Sequence, residues 1–166
     1  MLSSDKVEIG GYRPGAIGRI TELHADFYSK KSGFGLFFEA KVAKEMSEFL
    51  NRFTKTQDGF WIAIVDEQIV GSIAIDGMKS ESEGAHLRWF IVAEQYQGLG
   101  IGNRLIREAL SFCKSAKFKR VYLWTFAGLD HARHLYEKSG FALSGELSGS
   151  QWGVKVKEQK FELVLA

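Results

Sequence analysis

The sequence predicts an α/β (α+β) fold: a central mixed, mostly antiparallel sheet of about seven strands flanked by helices. Three observations predict it. Apolar stretches of strand character alternate with stretches of helical periodicity in the order β-α-α-β-β-β-α-β-α-β-β, a pattern that packs helices on the faces of a sheet. Asp66-Glu67 sits between two apolar runs as a tight hairpin turn. The run Gln97-Gly98-Leu99-Gly100-Ile101-Gly102 joins a hydrophobic strand to an amphipathic helix. With 166 residues the chain reads as one domain, 1–166, with a real core and neither an internal repeat nor a low-complexity linker.

In order, Val7 to Tyr12 reads as a short strand, punctuated by Pro14-Gly15. A helix follows from about Ala16 to Tyr28, then a break from Lys30 to Gly35. A second helix covers Phe38 to Phe53, with Val42, Met46, Phe49 and Leu50 on its inner face. Phe60 to Val65 and Gln68 to Ile75 form the hairpin, and Gly77 to Gly84 is a polar loop. Ala85 to Val92 is a mostly buried strand leading into the glycine run. The next helix extends to about Lys117, with Leu105, Ile106, Ala109, Leu110 and Phe112 at helical spacing. Arg120 to Phe126 is an apolar strand, and Leu129 to Ser139 a shorter helix stopped by Gly140. Phe141 to Leu147 and Val156 to Leu165 close the chain as strands around the Gly- and Ser-rich stretch Ser148 to Gly153.

Composition removes several classes. A net charge of +2 is too small to point to nucleic acid, and the cluster Lys117 to Arg120 reads as a solvated helix end. The single cysteine, Cys113, rules out an internal disulfide and fits a helix residue better than a nucleophile. No apolar run approaches the roughly 20 residues of a membrane span. Met1 to Gly10 lacks the basic start and apolar centre of a signal peptide, so a cytoplasmic protein is the simplest expectation.

The glycine run carries the chemistry. Glycine lets a backbone approach a ligand closely, and the amides opening the next helix favour negative charge, so a phosphate-bearing molecule is expected there. A Rossmann turn fits Gly98 and Gly100 but meets Asn103 at its third place, and the Gly-Lys-Ser/Thr of a P-loop is absent. The pattern Gln/Arg-x-x-Gly-x-Gly/Ala fits Gln97, Gly100 and Gly102, and it resembles the acetyl-CoA loop of the GNAT superfamily of N-acetyltransferases. Ala132 to Phe141 resembles the family's A-x-x-L-Y-x-x-x-G-F motif, and the element order agrees along nearly the whole chain. Leu123-Trp124-Thr125 and Gln159 to Leu163 are also similar to the acyltransferase half of bacterial winged-helix (MarR-type) fused regulators. This chain shows no winged-helix segment, so it is expected to be the enzyme part alone.

The resemblance implies a GNAT-like acyl-CoA N-acyltransferase fold with acetyl-CoA as cosubstrate and no metal. The backbone of Phe90, Ile91 and Val92 would pair with the pantetheine amides, and the amides of Gln97, Gly98, Leu99, Gly100, Ile101, Gly102 and Asn103 would hold the diphosphate. Leu129 stands where the family often has asparagine on the pantetheine arm. Tyr136 takes the place of the proton donor to the CoA sulfur, with an amphipathic packing tyrosine as the alternative. His86 is the candidate base, set evenly against a strand-end histidine bonded at the surface. Glu83 is a weaker candidate; Glu94, His24, His131 and His134 read as solvated or packed. Tyr28, Phe34, Phe37 and Phe38, with Trp152, form an aromatic group that either packs the core or lines an acceptor site. The expected partner is a small-molecule or peptide amine acceptor, without nucleic acid or membrane, and the resemblance also raises a homodimer. The competing reading is a non-catalytic acetyl-CoA-binding or sensing module.

Overall fold

A computed structural model describes residues 6–165, so part of the reading of Met1 to Gly10 lies outside the described residues. The elements are β1 (Glu8–Gly10), α1 (Ala16–Ser32), α2 (Leu36–Asn51), β2 (Gly59–Val65), β3 (Gln68–Asp76), β4 (Ala85–Val92), α3 (Ile101–Ser115), β5 (Arg120–Phe126), α4 (Asp130–Lys138), β6 (Ala142–Gly149) and β7 (Val156–Val164). The seven strands form one sheet in the order β1-β2-β3-β4-β5-β7-β6. Every neighbouring pair is antiparallel except β4 and β5, which run parallel. The sheet is therefore mixed and mostly antiparallel. The β2–β3 hairpin turns at Asp66 and Glu67, whose φ values of 47° and 66° give the left-handed turn that matches strand twist.

Helices cover both faces. α3 and α4 bury Ile101, Leu105, Ile106, Ala109, Leu135 and Tyr136 in one core. α1 and α2 bury Ala16, Ile20, Val42, Met46 and Phe49 in the other. β3, covered on both sides, is buried from Ile69 to Asp76 and reads as an almost unbroken apolar run for that reason. Among the described residues no helix is long and apolar enough to cross a membrane, and no group of His, Cys, Asp and Glu could hold a metal ion.

The first two helices depart from the expected boundaries. α1 continues past Tyr28 to Ser32, because Lys30 and Lys31 extend a helix well, and it stops only at Gly33 with a φ of 70°. α2 starts at Leu36, directly after Gly35, and ends at Asn51 rather than Phe53. The α4 terminus explains the Leu-Tyr-x-x-x-Gly-Phe spacing. Gly140 has a φ of 102°, its N–H donates to the Glu137 carbonyl at 3.0 Å, and the Phe141 N–H donates to the Tyr136 carbonyl at 3.0 Å. These bonds form a Schellman cap, which folds Phe141 back to place its ring 6.1 Å from that of Tyr136.

Candidate active site

The site forms where the sheet stops being regular. Parallel pairing of β4 with β5 is confined to Ala85 with Val121 and His86 with Tyr122. Past that point the strands part. On its other edge β4 bulges: Ser72 faces Ile91 and Ala74 faces Arg88, so Trp89 and Phe90 together stand opposite Ile73. Trp89 sits at a φ of 47°, a conformation that costs a bulky residue on the order of 1–3 kcal/mol. Its surroundings hold it there. The Ser72 hydroxyl donates to the Trp89 carbonyl at 2.6 Å, the Phe49 ring lies 5.5 Å away, and the Arg88 guanidinium lies 4.2 Å over the indole.

One cavity of about 600 Å³ opens against the end of β4, the glycine run and the start of α4. Gly98 and Gly100 both have a φ of 81°, and a Cβ on either would meet nothing within 4 Å. Glycine is required there by backbone conformation, and both residues line the cavity. Gly102 differs. It lies in the first turn of α3, where a Cβ would come within 3.1 Å of Leu135 and 3.4 Å of Phe90, so it permits close packing of helix on strand. Gly100 is the N-cap of α3 and no side chain caps the helix, which leaves the amides of Ile101, Gly102 and Asn103 without helical acceptors. This set of amides beside an open, side-chain-free wall fits a diphosphate. Val92 and Leu129 line the same cavity, where Leu129 offers an apolar wall.

A second cavity, of about 270 Å³, lies between the parted strands and α1, α2 and α4. Tyr28 and Phe90 line both cavities. Tyr136 lines the second and is 6% exposed. Burial, with a smaller contribution from Tyr28, pushes its phenol far above the ordinary tyrosine value, so it stays protonated. The Tyr136 hydroxyl has no protein hydrogen bond among the described residues and is not sealed off, so it opens onto the cavity. His86 also lines this cavity, with its ring stacked 4.5 Å from that of Tyr122. Burial, reinforced by the charge of Arg88, pulls His86 down to about 3 and keeps it neutral at pH 7.

A ladder of ion pairs builds the cavity's polar end, and it was not foreseen. Lys41 donates to Glu45 at 2.7 Å, Arg88 donates to Glu45 at 2.6 Å and to Asp76 at 3.4 Å, and Arg52 donates to Asp76 at 2.6 Å. No sequence motif marks it, since its members come from α2, the Arg52 cap just after it, β3 and β4. His24, expected to be solvated or packed, is 5% exposed and lines the second cavity.

The structure distributes the remaining expected residues as follows. Phe90, Ile91, Val92, Gln97, Gly98, Gly100, Gly102 and Asn103 line the first cavity. Ile101 is 1% exposed in the core, and Leu99 packs part-buried against it, so neither presents a side chain there. Glu94 and His131 border the first cavity, while Glu83 lies on an exposed loop within 3.5 Å of the Tyr122 hydroxyl and His134 is exposed on α4. Of the aromatic group, Tyr28, Phe38 and Trp152 line the second cavity. Phe34 is buried behind them, its ring 5.0 Å from Phe38 and 6.5 Å from Trp152, and Phe37 is exposed beside Gly153. Cys113 is buried, and burial pushes its thiol up to about 12, consistent with an inert helix residue.

Comparison with known proteins bears on this geometry. The acetyltransferase (GNAT) family model matches residues 19–141. The chain is 37% identical over 70 residues to the spermine/spermidine N(1)-acetyltransferase of Bacillus subtilis, covering 42% of this chain and 46% of that protein. It is 28% identical over 125 residues to the N-acetylaspartate synthetase of Danio rerio, covering 75% of this chain and 44% of the relative. The chain thus spans less than half the length of these two curated relatives. The fold is similar to that of the PaiA N-acetyltransferase of Thermoplasma acidophilum in complex with coenzyme A, with a TM-score of 0.73 and 17% identity over 96% of this chain and 99% of that one.

Proposed function

The chain belongs to the acetyltransferase (GNAT) family, and from that premise we propose that it is an acetyl-CoA-dependent N-acetyltransferase acting on a primary amine by direct attack in a ternary complex. The observation that carries this reading is the pair of cavities sharing Tyr28 and Phe90 across the parted β4 and β5. One has a diphosphate cradle, and the other contains a buried, protonated phenol.

Bound acetyl-CoA would supply the acyl group as a thioester. The amides from Gly98 to Asn103 hold the diphosphate, and the exposed edge of β4 from Phe90 to Val92 pairs with the amides of the pantetheine arm. The second cavity takes the amine. As nitrogen bonds to the acetyl carbon, the C–S bond breaks with its electron pair on sulfur; one proton leaves nitrogen and one reaches sulfur. Tyr136 donates its hydroxyl hydrogen to that sulfur, and the proton leaving nitrogen returns to the phenolate through water. His86 lines the same cavity, but with its imidazole held at about 3 it is too weak a base to keep the amine proton, and it serves as a hydrogen-bond acceptor through which that proton passes to water. The names of two relatives, a spermine/spermidine N(1)-acetyltransferase and an N-acetylaspartate synthetase, support an amine acceptor without choosing among amines. The likeness to the acyltransferase half of winged-helix regulators, a cytoplasmic location and a homodimer belong to the same reading.

The test combines acetyl-CoA titration by thermal shift with release of free CoA thiol across a panel of amines. Binding together with amine-dependent thiol release is the expected result. Binding without release above the uncatalysed rate would instead describe a sensing module, and absence of binding would end both readings.

A further inference from the structure

We propose that His24 belongs to the acceptor subsite, where its Nε2 accepts a hydrogen bond from an N–H of the primary amine and holds the attacking nitrogen in place. The inference rests on the N-acetyltransferase reading above and adds a residue that the loop and helix motifs do not contain.

The argument begins with the ring's tautomer. His24 Nδ1 lies 2.8 Å from the carbonyl oxygen of Ile20, one turn back on α1. A carbonyl oxygen only accepts, so Nδ1 carries the hydrogen. A neutral imidazole carries one such hydrogen, which leaves Nε2 as a bare lone pair. Among the described residues Nε2 has no protein donor, and it is not among the buried atoms left without a partner. Its side chain forms part of the second cavity's wall. A residue 5% exposed overall therefore presents an unpaired acceptor atom to the same space as Tyr136.

The neighbours keep the ring neutral. Tyr28 lies on the same helix with its ring 6.2 Å away, Lys41 and Glu45 line the cavity from α2, His86 and Arg88 from β4, and Tyr136 from α4. Burial pulls the imidazole down to about 4, against a smaller opposing effect of the Ile20 hydrogen bond. His24 thus acts as a hydrogen-bond acceptor at neutral pH. Glu45, the carboxylate of this cavity, is already bridged by Lys41 and Arg88, which leaves it poorly placed to orient an amine. A primary amine keeps an N–H for Nε2 while its lone pair attacks.

Two variants separate the ring's two nitrogens. His24→Asn keeps a donor near the Ile20 carbonyl and removes the distal acceptor. His24→Gln loses the proximal donor and returns an amide oxygen near the Nε2 position. The expected result for His24→Asn is wild-type melting temperature and acetyl-CoA affinity, with kcat/KM for the amine reduced on the order of ten- to a hundredfold. His24→Gln should melt lower yet recover part of that loss. If activity follows melting temperature instead, with His24→Asn like wild type and His24→Gln worst, His24 only packs and the inference falls. Nitrogen spectra of the histidine rings supply a readout independent of turnover. An unprotonated His24 Nε2 that shifts when amine is added supports the proposal, whereas a protonated or unresponsive Nε2 overturns it. A wild-type protein that binds acetyl-CoA but never releases thiol would fail the enzyme reading itself, and full turnover in His24→Asn would fail only this inference.

Discussion

Tyr136→Phe removes one oxygen and leaves the packing almost untouched. The ring lies among Phe90 at 5.9 Å, Phe141 at 6.1 Å and Phe161 at 6.1 Å, and phenylalanine keeps those contacts. The lost hydroxyl has no protein partner among the described residues, so no buried group is orphaned. Stability should change by no more than about 0.5 kcal/mol, which for a domain of this size is about 1–2 °C. Turnover should fall by about 10²-fold, equivalent to about 2.7 kcal/mol of barrier, because the departing sulfur loses its hydrogen-bond donor. Acetyl-CoA affinity should hold. The pH dependence gives a sharper check. Burial raises the Tyr136 phenol well above its ordinary value, so wild-type enzyme has it protonated throughout the neutral and mildly alkaline range. The deficit should then be the same factor at pH 6 and at pH 9, with no alkaline limb to lose. The assay is free-thiol release at saturating acetyl-CoA over that range, beside thermal melts. Unimpaired turnover would remove Tyr136 from the chemistry, and destabilisation beyond about 2 kcal/mol would show the hydroxyl to be structural.

Two further outcomes follow from other parts of the site. Gly100→Glu forces a side chain onto a φ of 81° and directs a carboxylate into the open cavity, so the melting temperature should fall by roughly 2–8 °C while acetyl-CoA stops stabilising the protein; undiminished stabilisation in a thermal-shift titration would refute the cradle. Asp76→Asn breaks the ladder between Arg52 and Arg88, and should cost about 2–3 kcal/mol at pH 7, roughly 4–12 °C. Burial by itself would raise the Asp76 carboxyl, but the Arg52 hydrogen bond, the Met78 amide and the two guanidinium charges outweigh it and hold the group below its ordinary value. A depressed carboxylate stabilises the fold above its unfolded value of about 3.9 and loses that contribution as pH falls through the folded one. The gap between wild type and Asp76→Asn in chemical-denaturation curves should therefore be widest near neutrality and close below about pH 4; a gap independent of pH would rule out the ion ladder as its source.

What could be read from the sequence was whatever a residue's own backbone dictates. Gly98 and Gly100 mark a backbone that can approach a ligand and Gly140 marks a helix end; the structure adds their left-handed φ values and the return of Phe141 onto Tyr136. The hairpin, the succession of elements along the chain and the helix faces follow from turn chemistry and periodicity, which are equally local, whereas the place of β7 between β5 and β6 is not. Helix ends were less legible because Lys30 and Lys31 carry α1 on until Gly33 forces the stop. Of the acceptor cavity only the aromatic wall of Tyr28, Phe38 and Trp152 was legible, and the rest was hidden for a different reason. Its bulge places Trp89 at a φ of 47° with no glycine to advertise it, and the strain persists because Ser72 from β3 and Phe49 from α2 join the neighbouring Arg88 to hold it. Likewise His24 follows a helical period in which it could face water or protein, and only the closure of α1 over α2 and β4 decides that it faces the cavity. The cosubstrate end of the site is thus specified by short-range stereochemistry and can be recognised from a few residues. The acceptor end is specified by who stands opposite whom, so its selectivity can change through substitutions on α1, α2 or β4 without disturbing a single residue of the motifs.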